Sequence, residues 1–296
     1  MHPRSRFSEL DFTFEQAQEI ANIAETQGWQ IAAHDSMRAF NHAAYRLAID
    51  EYRGQLRFLL PLAANDRVLQ LRCGWGSIAI NLAGCSVSVV AIDDRLSRLR
   101  FVSARRKQMN IQGLHTLGAN INRILPFTSR VFDAVIILDA YEEEGAYGNG
   151  KDCVSRENLL KETMRVLKPG GWLLLAGINR LGFARPKVYG REPILTYWGY
   201  RRLMQTAGFD NPQFHAPLPS HLEPFYIIPL DNSYAFDHFT NCLFSSSQDE
   251  SKLKDRGLGL RFRLASAMYH AARSLRLISL ARFFVPSYLL VVQKKD

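Results

Sequence analysis

The 296-residue chain has only four cysteines, Cys73, Cys85, Cys153 and Cys242, set far apart with no CxxC pair and no Cys/His cluster. That spacing excludes a structural zinc site and a disulfide framework, and it predicts a reduced, cytoplasmic protein without a metal. No uninterrupted apolar run reaches the roughly 18 residues that a membrane-spanning helix needs. The opening stretch "MHPRSRFSELDF" is charged where a secretory leader has an apolar core, so no leader is expected. Internal repeats and low-complexity runs are also missing, which excludes a solenoid.

Acidic residues are scarce at one end. Residues 251–296 hold ten Lys/Arg against Asp255 and Asp296, which accounts for most of the net charge of +9. The first 250 residues are close to neutral. With 47% apolar and 22% charged residues there is ample material for a buried core.

What is present is an alternation. Residues 14–60 carry apolar residues at helical spacing, first to Gly28 and then from Met37 to Pro61, and predict a helical N-terminal cap over 1–60. From 61 to 215 short apolar strands ("RVLQL", "VSVVAID", "FDAVIIL", "GWLLLAGI") alternate with helical stretches. One of these, "RLSRLRFVSARRKQMN", is strongly basic. The alternation predicts a parallel, doubly wound α/β sheet with helices on both faces. Residues 216–287, Pro- and Ser-rich at first, read as an insertion ending in a basic helix, and 288–296 as a final core strand.

Ligands of such sheets sit beyond the carboxyl ends of the strands. The stretch "RVLQLRCGWGSIAI" puts a glycine turn at such an end and opens a helix directly after it. Gly74 and Gly76 let backbone amides approach a ligand, and Asp93, which ends the next strand, suits a ribose diol. The same residues could merely turn the chain and cap a helix.

Two further stretches, "LPFTSRVFDAVIIL" and "RVLKPGGWLLL", complete an ordered set. From Val68 to Phe209, with the final strand at 288–294, the chain resembles the class I S-adenosylmethionine-dependent methyltransferases. More distantly, "WLLLAGINRLG" and "YWGYRRLMQTAGF" are similar to a bacterial subgroup associated with glycoconjugate pathways. The resemblance implies a mostly parallel seven-stranded Rossmann-like sheet and S-adenosyl-L-methionine as cofactor. It places Arg72, Cys73, Gly74 and Gly76 at the amino-acid part of the cofactor, Asp93 at the ribose, and Asp94 and Asn120 near the adenine. Leu138 and Asp139 would face the transferred methyl group. The chain departs from the family at Gln70, where an acid is usual, and at Arg72, where a glycine is usual. Arg72 would bring a cation near the sulfonium unless Glu142 or Glu143 pairs with it.

The implied acceptor is a small molecule or glycoconjugate, methylated at a hydroxyl, with Glu142, His215 and His221 as candidate bases. The cluster Tyr197-Trp198-Gly199-Tyr200 would either fill the core or stack on the acceptor. Leu264, Met268, Ala271, Leu275 and Ile278 form one stripe of a helix over 260–284, with Arg261, Arg273 and Arg276 away from it. This predicts either a packed helix with a solvated basic face or one that meets an anionic membrane or an acidic protein. The alternative readings are a catalytically silent methyltransferase-fold scaffold and an RNA methyltransferase, although no RNA-binding module is recognisable.

Overall fold

The computed structural model describes residues 12–85, 87–121, 124–138, 156–182, 194–245 and 278–295. Its centre is one sheet built from β1 (Arg67–Leu71), β2 (Ser88–Asp93), β3 (Leu114–Gly118), β4 (Phe132–Ile137), β5 (Leu167–Ile178), β6 (Gln213–Pro219), β7 (Pro224–Pro229) and β8 (Ser287–Gln293). The order across the sheet is β3-β2-β1-β4-β5-β8-β6-β7. The first five strands run parallel, while β8 is antiparallel to β5 and β6, and β7 to β6. The chain winds out from β1 to β3 and then returns to lay β4 on the other side of β1. That reversal opens a crevice beyond the carboxyl ends of β1 and β4.

Burial on both faces explains why these strands read as near-continuous apolar runs rather than alternating ones. On one face Val68, Val89, Ile136, Leu174 and Leu289 pack against α5 (Ser77–Ala83) and α6 (Leu96–Gln108). On the other, Leu69, Val135, Leu173 and Leu290 pack against α7 (Arg156–Val166), α8 (Tyr197–Thr206) and α9 (Ser233–Ser245).

The N-terminal segment makes a third core. α1 (Phe14–Thr26) starts at a capping box between Thr13 and Gln16 and brings Ile20 and Ala24 against Phe101 and Ala104 of α6. Arg100 of α6 reinforces this contact by binding Glu25, Gln18 and Asn22. Gln108 also reaches back, to Ala24 O and to the amide of Trp29.

Two expectations are revised. The sheet has eight strands rather than seven, because 213–229, taken from 216 onward as an irregular insertion, form the hairpin β6–β7. Its prolines are tolerated because β6 pairs with β8 only over Gln213–His215, and β7 is an edge strand. The helix expected from Met37 to Pro61 is broken. α2 (Trp29–Ile31) and α3 (Arg38–Phe40) flank a π-helical turn, and extended Asn41 then caps α4 (His42–Ile49). Tyr52–Leu59 closes the segment as a 3-10 turn. Most of the helix expected over 260–284 lies outside the described residues, and its end, Ile278–Phe283, is a 3-10 turn.

Candidate functional site

β1 hands the chain to α5 through Arg72-Cys73-Gly74-Trp75-Gly76. Three of these residues have left-handed backbone: Arg72 at φ +49°, Gly74 at +56° and Gly76 at +82°. Glycine adopts that region without strain, whereas an L side chain costs about 1–2 kcal/mol there. The turn itself therefore explains why glycine suits position 72, and Arg72 sits in it buried and strained.

The two glycines differ in role. A Cβ on Gly76 would lie 2.6 Å from Val102 Cγ2, so Gly76 seats the loop on α6. A Cβ on Gly74 would meet nothing within 4 Å among the described residues, which leaves room for a ligand against the backbone. Between them Trp75 turns away from the crevice and packs edge-on against Phe12 and Phe101, with ring centroids 5.2 and 5.5 Å away. The loop is thereby bolted to the N-terminal core.

Asp93 ends β2 fully buried. Its Oδ2 accepts the Gly74 amide at 2.9 Å and its Oδ1 accepts the Arg95 amide at 3.0 Å. Arg98 Nη1 lies 3.6 Å from Oδ2 and is itself buried. Sequence reading missed Arg98, which looked like one more cation of a solvated basic helix. Its signal is the spacing: the first turn of α6 returns to the strand end that carries Asp93. Burial, with Asp93 alongside, pushes the Cys73 thiol well above its ordinary value and keeps it protonated. Gln70 is buried one step before the strand ends, and its Oε1 has no hydrogen-bond partner among the described residues.

The other expected site residues divide. Leu138 is buried just beyond β4, on the α5/α6 side. Asp94 and Asn120 are exposed beyond β2 and β3 respectively. Asp139, Glu142 and Glu143 lie outside the described residues, and with them the expected pairing of Arg72. His215 and His221 belong to β6 and the turn after it, separated from β1 by β4, β5 and β8. At the usual strand spacing that is about 19 Å from the glycine turn. His215 sits within the sheet opposite Leu289, and burial holds its pKa below the ordinary imidazole value. His221 is buried at the strand-end level, its amide donating to Ser287 Oγ. Tyr197 and Tyr200 are core residues, whereas Trp198 is exposed.

The stretches that carried the resemblance turn out to hold one another. Glu162 accepts the Leu125 amide, and Arg165 donates to the carbonyls of Leu125 and Phe127, which clamps "LPF" onto α7. Lys168 pairs with Asp133 at 2.7 Å, and Asp133 also accepts the Arg67 amide. The "FDAVI" and "LKPGG" stretches thus meet at the amino ends of β1, β4 and β5, away from the crevice. The glycines of "LKPGG" bulge β5 between Leu167 and Trp172, with Gly170 at φ +74°. No cluster of metal-ligating residues occurs among the described residues.

Sheet order, switch point and loop define a Rossmann-like α/β protein with a ligand crevice at the carboxyl ends of β1 and β4. Residues 69–175 match the family described as a methyltransferase domain. The chain is similar to the ubiquinone/menaquinone biosynthesis C-methyltransferase UbiE of Syntrophotalea carbinolica, 33% identical over 129 residues, 43% of this chain and 48% of that one. It is also 26% identical over 148 residues to a ubiquinone biosynthesis O-methyltransferase of Rickettsia conorii, covering 47% of each. The chain spans about half the length of these curated relatives. Among solved structures, the [4+2]-cyclase SpnF shares the fold, with a TM-score of 0.53 and 16% identity over 98% of this chain and 95% of that one. The matched segment, residues 69–175, is similar to the class I S-adenosylmethionine-dependent methyltransferases.

Proposed function

We propose that the protein is an S-adenosylmethionine-dependent methyltransferase acting on a small-molecule or glycoconjugate acceptor at a hydroxyl. The observation that carries this is the open space in front of Gly74, at the switch point of the segment that matches the family. The residues present fit the cofactor: Gly74 offers an unobstructed backbone edge, and Gln70 Oε1 is an unused buried acceptor next to the turn. When bound, S-adenosylmethionine supplies an electrophilic methyl carbon on a sulfonium. The chain's part is to hold acceptor and methyl in line and to exclude water. Cys73 stays neutral and apolar beside the cofactor and takes no part as a nucleophile. The relatives' names divide between carbon and oxygen acceptors, so the hydroxyl reading is tested on the product.

A second reading, a silent scaffold of the same fold, draws on Asp93, whose carboxylate is already engaged by Gly74, Arg95 and Arg98. A ribose would have to compete with these contacts. The fold itself does not decide, since the [4+2]-cyclase SpnF shares it. Calorimetric titration with S-adenosylmethionine and its demethylated product distinguishes the two readings. Stoichiometric binding, followed by methyl transfer to an oxygen in an acceptor screen, is expected. A folded protein that binds neither ligand is a scaffold.

A further inference from the structure

The carboxyl edge of the sheet carries a second feature, on the side of β5 away from the glycine turn. Asn179, fully buried just past β5, donates its Nδ2 to the carbonyls of Phe283 and Val285 at 2.8 and 2.7 Å. Its Oδ1 accepts the Leu181 amide at 3.1 Å, and its own amide donates to Pro286 O at 3.0 Å. The Arg180 amide binds Leu195 O, just before α8. The Asn179 side chain thus ties 178–182 to 278–286, and the Arg180 amide together with the Tyr200 hydroxyl, which donates to Ile178 O, ties 178–182 to 194–202.

What they present is apolar and wet. Trp198 is 61% exposed, Phe284 50%, Leu181 49% and Leu280 44%. The Trp198 ring stacks on Phe283 at 5.9 Å, and Leu280 lies one 3-10 turn before Phe283, on the same side. Single exposed apolar residues are ordinary, but four of them on segments that a buried clamp holds side by side are a built surface. The charge carried by the three segments themselves has one sign, with Asp231 the acid that acts on Tyr197 beside them. The three segments carry Arg180, Arg201, Arg202 and Arg282 and no Asp or Glu. The Arg282 guanidinium stands over the Phe283 ring at 5.3 Å, so its stem follows the apolar patch. Sequence adjoining the patch is basic too: 183–193 holds three Lys/Arg against Glu192.

We infer that the face formed by Leu181, Trp198, Leu280 and Phe284 is a docking surface for an anionic phospholipid bilayer. Tryptophan, phenylalanine and leucine flanked by arginines suit the headgroup boundary, where the rings enter the interface and the guanidinium groups meet phosphate. The patch shares the sheet edge with the ends of β1 and β4, because Ile178 closes β5 in parallel with them. Docking there keeps the crevice edge near the bilayer. An acidic protein is the other occupant that exposed rings beside arginines could take, and the vesicle test separates the two. The inference goes beyond the proposed reaction and does not depend on it.

The test is co-sedimentation of the full chain with phosphatidylglycerol/phosphatidylcholine vesicles and with pure phosphatidylcholine vesicles, monitored also by tryptophan emission. Binding to the anionic vesicles, weakening as salt rises, and a blue shift are expected. The double variant Trp198→Ser/Phe284→Ser should partition about tenfold less and lose most of the shift. Its circular dichroism and its calorimetric response to S-adenosylmethionine should match those of the parent. Undiminished partition by the double variant would overturn the proposal and assign the binding to the basic residues 251–276. Failure of the parent to sediment, or a parent dimer that the double variant dissolves, would overturn it too. Loss of cofactor binding by the parent would touch only the proposed reaction.

Discussion

The Gly74 amide donates to Asp93 Oδ2 at 2.9 Å and so ties the turn after β1 to the end of β2. The same carboxylate caps the start of α6 through the Arg95 amide and faces the buried guanidinium of Arg98. Asp93 is therefore the keystone of the crevice before any ligand arrives. Removing it leaves Arg98 buried without its carboxylate, which is the expensive way to break such a pair. Asp93→Ala should destabilise the protein by about 3 kcal/mol in urea unfolding, and Asp93→Asn by less. Cofactor binding, where it remains measurable, should weaken by roughly 1–3 kcal/mol. An Asp93→Ala protein as stable as the parent would show that the contacts contribute nothing.

Arg72 tests the backbone rather than the charge. Arg72→Gly and Arg72→Ala both delete the side chain, but only glycine relieves the positive φ. The glycine variant should be more stable than the alanine variant by about 1 kcal/mol. Equal stabilities would mean that the turn has relaxed. Separately, if Arg72 acts through its charge, Arg72→Gly should tighten S-adenosylmethionine more than the demethylated product.

Trp75 connects the loop to the N-terminal core through Phe12 and Phe101. Trp75→Ala should cost about 3–5 kcal/mol, in the range of aromatic-to-alanine changes in cores. Hydrogen exchange should quicken in α1 and at the amino end of α5 together. Faster exchange in one element alone would separate the loop from the cap.

Gln70 carries a buried acceptor without a partner among the described residues, which costs stability in the ligand-free protein. Gln70→Leu is accordingly expected to raise the melting temperature while weakening S-adenosylmethionine binding. A rise in stability with unchanged affinity would remove Gln70 from the site.

Burial holds the His215 pKa below its ordinary value. The unfolded chain then takes up a proton that the folded chain refuses, so stability is retained above about pH 6.5 and falls as pH drops below it. His215→Gln should flatten the melting-temperature slope between pH 7 and 5. An unchanged slope would place the acid sensitivity elsewhere.

Much of the architecture was legible in the residues because local patterns carry it. The apolar runs of β1, β2, β4 and β5 mark strands buried on both faces, and the glycine turn after β1 marks the switch point. The "LPF", "FDAVI" and "LKPGG" stretches signal the family because their side chains bind one another at fixed distances along the chain. The β6–β7 hairpin was hidden by its prolines, whose suitability depends on which neighbouring strand has already ended. Arg98 was hidden because a helix's sequence does not say which of its faces will be buried. Trp75 read as a loop residue until Phe12 and Phe101 were seen to enclose it.

The sequence by itself determined the strands β1, β2, β4 and β5, their alternation with helices in a parallel sheet and the position of the glycine turn, since periodicity and glycine placement act over a few residues. Only the tertiary structure decided that Asp93 is sealed by its own neighbours and that His215 and His221 stand four strands from the glycine turn. It also decided that Asn179 gathers distant segments into one exposed aromatic face. Those outcomes depend on which side chains meet across tens to more than a hundred residues, and no local pattern encodes such meetings.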